Sequence, residues 1–139
     1  MLNINFRYLL FILFVSQILG LKAQTPLTIA NHWIFINVTV SHQEASHNVQ
    51  GLIDTGASIC LIDSTFAVDS CHIKIALSNA TIGNTSGKRI NSFSINLDSI
   101  SMGDRIYSNV CCYLVDLARK LKQYAPKFII GGDFLKRAL

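Results

Sequence analysis

Hydrophobic and polar residues alternate along much of the sequence, so that every second side chain is apolar. The clearest example runs from Trp33 to Val40, and similar alternation is found in Cys71–Leu77 and Ile90–Ile100. A period of two is typical of a β-strand that buries one face. Together with shorter apolar runs, the pattern predicts strands at Trp33–Val40, Val49–Ile53, Ile59–Ile62, Cys71–Leu77, Ile90–Ile100, Ile106–Val115 and Phe128–Ile130.

Polar and glycine-containing stretches separate these strands. Ser41–Asn48 predicts a hairpin loop, and Met102–Arg105 predicts a turn. Helical spacing predicts one short helix over Asp116–Tyr124, and a second helix is expected to begin with Asp133 as its N-cap. Many short strands joined by turns favour a single all-β, barrel-like domain with one or two short helices.

The N-terminal residues have a different character. A run from Tyr8 to Leu19 is almost entirely apolar, and Ala23 follows shortly afterwards. This predicts a secretory signal peptide over residues 1–23, because the run is shorter than the about 20 residues needed to span a membrane. We therefore expect an exported domain, secreted or periplasmic, over residues 24–139, with no stable membrane span after cleavage. The alternative is an uncleaved membrane anchor, since Leu21 is larger than the residue usual before a cleavage site.

The charge of the chain argues against nucleic acid as a partner. There are 12 Lys and Arg residues against 8 Asp and Glu, which gives a net charge of +4. Two of the basic residues, Arg7 and Lys22, lie in the predicted signal peptide, so the remaining domain carries about +2. No basic run is interleaved with aromatic residues, and binding of nucleic acid through charge is therefore not expected.

The sequence has four cysteines, and export would permit disulfides. Cys60 and Cys71 can be bridged if the segment between them doubles back; buried free thiols are the equal alternative. Cys111 and Cys112 are adjacent on a predicted strand and should point to opposite faces. The spacing of the four does not fit a zinc site, so we expect no metal and no cofactor.

One acidic residue stands out because its neighbours on both sides are apolar. Asp54 follows Leu52 and Ile53, and an apolar run begins again at Ile59. Carboxylates are almost never buried without a partner or a task. Between the two runs, hydroxyl residues and a glycine supply hydrogen bonds and a tight turn. The pattern predicts a carboxylate that is held still at the edge of the core and can reach a ligand.

The run Leu52–Ser58, Leu-Ile-Asp-Thr-Gly-Ala-Ser, resembles the active-site signature of the aspartic proteases. A second run, Phe128–Leu135, is similar to the hydrophobic-hydrophobic-Gly element that packs beneath the catalytic loop in that family and leads into a short helix. The element and the helix together are predicted to span residues 128–139. The resemblance is to the retropepsin-like branch, in which each chain supplies one motif, and it covers about Ile34 to Leu139. It implies a retropepsin-like closed β-barrel, the acid protease fold.

The resemblance also implies the role of each residue in the turn. Asp54 would be the catalytic carboxylate, Thr55 would hydrogen bond across to a partner subunit, Gly56 would line the cleft, and Ser58 would brace Asp54, with Ala57 completing the support. Two carboxylates around one water are needed to hydrolyse a peptide bond, and the sequence has one Asp-Thr-Gly. We therefore expect an aspartic endopeptidase that acts on a peptide or protein substrate as a homodimer.

The most polar stretch, residues 78–89, has two readings. By composition it is a solvated hairpin loop. By its position in the resembled family it is a flap that closes over substrate, with Ile82, Gly83 and Gly87 as its binding residues. Apolar residues such as Ile53, Ile82 and Ile129 would then line the cleft.

Two other functions are compatible with the sequence. The same fold can serve as a non-catalytic peptide-binding or interaction module, or Asp-Thr-Gly can be an ordinary turn in an unrelated exported β-domain. Chains of the resembled family usually continue into a further strand that joins the dimer, whereas this sequence ends within the predicted last helix. A truncated chain, or a dimer built differently, for example through the strand that begins at Ile34, is therefore expected.

Overall fold

The computed structural model describes residues 25–75, 79–83, 86–121 and 126–138, so the predicted signal peptide lies outside the described residues. Within those ranges, no helix is long and apolar enough to cross a membrane. The strands are β1 (Leu27–Ala30), β2 (Trp33–His42), β3 (Ala45–Ile53), β4 (Cys60–Asp63), β5 (Asn79–Gly83), β6 (Arg89–Met102), β7 (Arg105–Val115) and β8 (Phe128–Ile130). The helices are α1 (Ser64–Asp69), α2 (Leu117–Leu121) and α3 (Gly132–Ala138).

One sheet contains all eight strands, in the order β1-β2-β3-β8-β4-β7-β6-β5. β2 also pairs with β6, where Val40 lies opposite Ile100, so the strands from β2 round to β6 close on themselves like a barrel. β1 and β5 extend the sheet as edge strands outside the closed part. The structure therefore confirms the predicted all-β barrel with short helices.

Parallel pairing brings two distant segments of the sequence together. β3 runs parallel to β8, so that Ile53 lies opposite Ile130, and β4 runs parallel to β7, with Cys60 opposite Cys112. The predicted strand Phe128–Ile130 is buried throughout. This arrangement places the end of β3, where Asp54 follows, beside the end of β8.

The core consists of two clusters. The main one fills the barrel and is built from the inward side chains of the strands together with α1 and α3. The smaller one lies on the outer face of β2 and β3 and contains Phe35, Leu52, Val115, Leu117 and Ile129, with Leu61 and Ile82 packed against it. β2 thus buries residues on both faces, because the main cluster covers one face and the smaller cluster covers part of the other.

The predicted hairpin over Ser41–Asn48 is present, but its loop is shorter than predicted because β2 and β3 continue through most of the segment. Ser41 pairs with Ser46 and His42 with Ala45, which leaves a two-residue turn whose first residue, Gln43, has a φ of 52°. Backbone pairing of a hairpin does not require apolar side chains, so the polar composition was misleading there.

Helix α1 was not predicted from the sequence. It begins after Asp63, a buried residue that is only 1% exposed, and the Asp63 carboxylate accepts a hydrogen bond from the Phe66 N–H at 3.0 Å. The other carboxylate oxygen accepts from the Leu117 N–H, at the start of α2, at 3.1 Å. One buried side chain therefore caps the first turns of two helices.

The segment after α1 does not form the predicted strand over Cys71–Leu77. Cys71 and Ile73 are buried, which accounts for the alternation, but residues 71–75 pair with no strand and Ile75 is 46% exposed. Leu77 lies outside the described residues. The predicted helix over Asp116–Tyr124 corresponds to α2 up to Leu121, and residues 122–125 are not described.

All four cysteines are free, so Cys60 and Cys71 are not bridged. Cys111 is exposed and Cys112 is buried, as the opposite faces of a strand predict. Burial raises the pKa of the Cys71 thiol to about 11 and that of Cys112 well above its usual value.

Candidate active site

Asp54 lies immediately after β3, on a tight turn, and its side chain is half-buried. Its carboxylate Oδ1 accepts hydrogen bonds from the Gly56 N–H at 2.9 Å and from the Ala57 N–H at 3.2 Å. Its own N–H donates to the Ile130 carbonyl oxygen at 3.1 Å. Among the described residues, no hydrogen bond to Oδ2 is found. The turn therefore fixes one carboxylate oxygen and leaves the other free for a ligand.

The segment after β8 packs against the backbone of this turn. The Gly132 N–H donates to the Ala57 carbonyl oxygen at 2.7 Å, and the Asp133 N–H donates to the Ser58 carbonyl oxygen at 3.1 Å. A Cβ on Gly131 would lie 2.2 Å from the Ile59 carbonyl oxygen, so only glycine fits there. The two motifs recognised in the sequence are thus brought into direct contact.

Asp133 does not take the predicted N-cap position. α3 already begins at Gly132, and the Asp133 carboxylate accepts from the Phe134 N–H at 2.7 Å and from the Cys60 thiol at 3.4 Å. Because the N–H groups of Gly132 and Asp133 are bonded to the Asp54 turn, the first turn of α3 is held without a capping side chain ahead of it.

A cleft of about 780 Å³ opens above Asp54. The turn and β4 supply part of its lining, β5 supplies a second part, and β7 contributes one residue. β5 is the first strand of a hairpin with β6, in which Ile82 pairs with Ile90. The lining residues are Asp54, Gly56, Ala57, Ser58, Ile59, Leu61, Thr81, Ile82, Gly83 and Tyr113. The carboxylate therefore faces a space that is large enough for part of an extended peptide.

The predicted flap is the β5–β6 hairpin, of which residues 79–83 and 86–89 are described. Ile82 and Gly83 line the cleft, whereas Gly87 lies at the turn with a φ of +75°, in the left-handed region that favours glycine. Their predicted binding of substrate stays a prediction. Of the apolar residues expected in the cleft, Ile129 is instead buried in the smaller cluster, and Ile53 packs against the main core.

The two hydroxyl residues of the motif, Thr55 and Ser58, occupy different positions relative to the cleft. Thr55 is exposed at the tip of the turn, where the role implied by the resemblance needs a second subunit. Ser58 lines the cleft, but in the described part of the chain its side chain makes no hydrogen bond with Asp54, and it contributes through its carbonyl oxygen. The bracing role implied for the Ser58 hydroxyl therefore has no bond to support it in this structure.

Tyr113 and Leu61 are cleft residues that sequence reasoning missed. They pair with each other across β4 and β7, which are separated by about fifty residues in the chain. Each of the two lies between buried residues of its own strand. That pattern predicted the strands but did not indicate which face of the sheet would border the cleft. Within the described ranges, no group of three or more His, Cys, Asp or Glu side chains is placed to hold a metal ion.

Comparison with known families agrees with this geometry. The sequence model of a family described as aspartyl protease matches residues 36–134, which include the Asp54 turn, the hairpin and the start of α3. The chain therefore belongs to the aspartyl protease family. The sequence has no significant match among curated proteins.

Two solved structures are among those similar to this chain. A retropepsin-like aspartic protease from Rickettsia conorii is 15% identical, with 84% of each chain covered and a TM-score of 0.55. A protein of unknown function from Legionella pneumophila is 12% identical over 73% of this chain and 84% of that chain, with a TM-score of 0.44. The Rickettsia structure confirms the predicted retropepsin-like barrel.

Proposed function

We propose that this protein is an aspartic endopeptidase that hydrolyses peptide bonds with a water held between the Asp54 carboxylates of two subunits. The observation that carries the proposal is the placement of Asp54 at the floor of a cleft, with Oδ1 fixed by two backbone N–H groups. A fixed carboxylate with one unbonded oxygen suits a group that must hold a water and exchange protons with it.

Two carboxylates at about 3 Å cannot both ionise, so the pair shares one proton. The ionised carboxylate accepts a proton from the water as the water oxygen attacks the peptide carbonyl carbon. The protonated carboxylate donates its proton to the carbonyl oxygen, which gives a tetrahedral intermediate. The carboxylate that took the proton from water then donates it to the nitrogen, and the C–N bond breaks. As the intermediate collapses, one of its hydroxyl groups gives a proton to the other carboxylate, so the pair again shares one proton.

The second carboxylate must come from another chain, because Asp54 is the one acid that lines the described cleft. The surface next to it supports a two-fold pairing. Ile29, Ile34 and Ile53 lie side by side on β1, β2 and β3, with Ile53 directly before Asp54, and Ile29 is 74% exposed. Residues 24–43 contain no Asp, Glu, Lys or Arg, so two copies of this surface meet without repulsion between like charges.

We also propose that the enzyme acts outside the cytoplasm, on secreted or periplasmic peptides or proteins. The support is the apolar run from Tyr8 to Leu19 followed by Ala23. Comparing the N-terminal residue of the protein recovered from the culture medium or periplasm with Met1 tests this location.

The test of activity compares the parent protein with Asp54→Asn on a mixed peptide library between pH 3 and 8. Asp104→Asn, the same change at an exposed turn residue, is the control. We expect cleavage by the parent and the control and none by Asp54→Asn. If all three bind peptides and none cleaves them, the chain is instead the non-catalytic peptide-binding module that the sequence also allows.

A further inference from the structure

We propose that Tyr113 determines the specificity of the cleft by hydrogen bonding to an uncharged amide side chain, Gln or Asn, of the bound peptide. This inference rests on the proposed peptidase function. It concerns which substrate side chain the cleft prefers, a property that Asp54 and its turn do not determine.

The backbone fixes Tyr113 in the middle of the sheet. β7 pairs with β4 on one side, where Tyr113 lies opposite Leu61, and with β6 on the other, where it lies opposite Ser94. Its chain neighbours Cys112 and Leu114 point into the main core, so the phenol projects from the opposite face into the cleft. A side chain held between two strands has a more constant position than one on a hairpin tip.

The cleft that Tyr113 lines is mainly apolar. Ile59, Leu61 and Ile82 line it together with the polar residues Asp54, Ser58 and Thr81, and Tyr113 itself is half-buried. Among the described residues, none forms a hydrogen bond with its hydroxyl group. A tyrosine hydroxyl that loses water usually finds another partner. When a peptide fills the cleft, the partner must come from the peptide.

The cleft disfavours charged partners. Asp54 lines the same space, so a glutamate or aspartate side chain would bring a second negative charge close to it. A lysine or arginine side chain carries only hydrogen-bond donors, so it offers no acceptor for the O–H of Tyr113. A neutral amide has an apolar stem for Ile59, Leu61 and Ile82 and, at its end, an oxygen that accepts from the phenol and an N–H that donates to it.

Gln and Met provide a matched pair, because their side chains have similar length and Met lacks the amide. Once a cleaved peptide has been found, each of the three positions on either side of the cut is made as Gln and as Met. At one position we expect the parent protein to prefer Gln about threefold to tenfold in kcat/KM, the range of one net hydrogen bond.

In Tyr113→Phe the preference at that position should fall to about one, while Tyr107→Phe should retain it. Tyr107 lies on the same strand but packs against Phe134 with ring centroids 4.9 Å apart, so it is the matched control. Binding to Asp54→Asn of Gln and Met versions of peptides chosen from the same library gives a second readout that does not need cleavage.

The two proposals fail in different ways. Cleavage by the parent protein with no position that prefers Gln, or a preference that survives in Tyr113→Phe, overturns the role of Tyr113 and leaves the peptidase standing. No cleavage, with Gln peptides bound more tightly than Met peptides to Asp54→Asn, supports Tyr113 and rejects the peptidase. Neither cleavage nor selective binding rejects both.

Discussion

The backbone N–H of Gly132 donates a hydrogen bond to the carbonyl oxygen of Ala57 at 2.7 Å, and this contact joins the last helix to the turn that carries Asp54. The turn is thus supported from outside its own sequence, by residues more than seventy positions away. The position of Asp54 depends on the segment that follows β8 as much as on its own motif.

Gly131→Ala should damage this support. The new Cβ would lie 2.2 Å from the Ile59 carbonyl oxygen, and since the neighbour is backbone, the Asp54 turn must move. We expect the free energy of unfolding to fall by about 3 kcal/mol and peptide cleavage to be lost. Urea unfolding measures the loss of stability, and the peptide assay measures the loss of cleavage. Gly132→Ala is the control, because its Cβ would meet only the Ala57 oxygen at 3.5 Å; equal damage from both variants would contradict this explanation.

Asp63→Ala should destabilise the fold although the residue lies away from the cleft. It removes the acceptor for the Phe66 and Leu117 N–H groups, which are left unpaired in a buried site. The expected loss in the free energy of unfolding is about 2–4 kcal/mol. Asp116 accepts from the Arg119 N–H at 2.9 Å at an exposed position, so Asp116→Ala should cost less, about 0.5–1 kcal/mol. A loss at Asp63 no larger than that at Asp116 would show that burial of the cap is unimportant.

Ile29→Lys tests the surface through which we propose the subunits pair. A lysine here places like charges opposite each other across a two-fold axis and adds the cost of desolvation. We expect the dimer dissociation constant, measured by sedimentation equilibrium, to rise by about tenfold or more, with activity shifted to higher protein concentration. Ile106→Lys is the control, since Ile106 is similarly exposed at 70% and lies on β7. A dimer that tolerates Ile29→Lys as well as Ile106→Lys would place the interface elsewhere.

Cys71 should make the fold less stable at high pH. Burial raises the pKa of its thiol from 9.0 to about 11, so between these values the unfolded chain loses the proton and the folded chain retains it. The contribution is complete below pH 9 and is lost as the pH rises towards 11, by at most about 3 kcal/mol. Urea unfolding at pH 8, 9 and 10.5 should show a steeper decline for the parent protein than for Cys71→Ser. Parallel declines would exclude this thiol as the cause.

The Asp54 turn and the Ile129-Ile130-Gly131 element could be recognised in the sequence because each is a short local run that resembles a motif of the aspartic proteases. The sequence did not predict α1, since the six residues Ser64–Asp69 depend on the buried cap from Asp63, whose second partner is Leu117. Tyr113 was missed for a similar reason. Its place in the cleft follows from the parallel pairing of β4 with β7, which no local pattern in the sequence specifies.

The pattern of apolar and polar residues was misleading in two places. At Cys71 and Ile73 the apolar alternation reflects a segment that packs on the core without sheet pairing. At Ser41–Asn48 a hairpin continues with polar side chains, because its backbone hydrogen bonds hold it together. Side-chain burial and strand pairing are separate properties, and a period of two reports only the first.

In the mechanism we propose, one water lies between two Asp54 carboxylates, one from each chain. Mixing the parent protein with Asp54→Asn in varying ratios at a fixed total concentration, and measuring activity after the subunits have exchanged, tests this arrangement. If both carboxylates are needed, activity should fall with the square of the parent fraction, because only dimers with two parent chains cleave. A fall in direct proportion to the parent fraction would mean that one chain suffices, and would contradict the shared site.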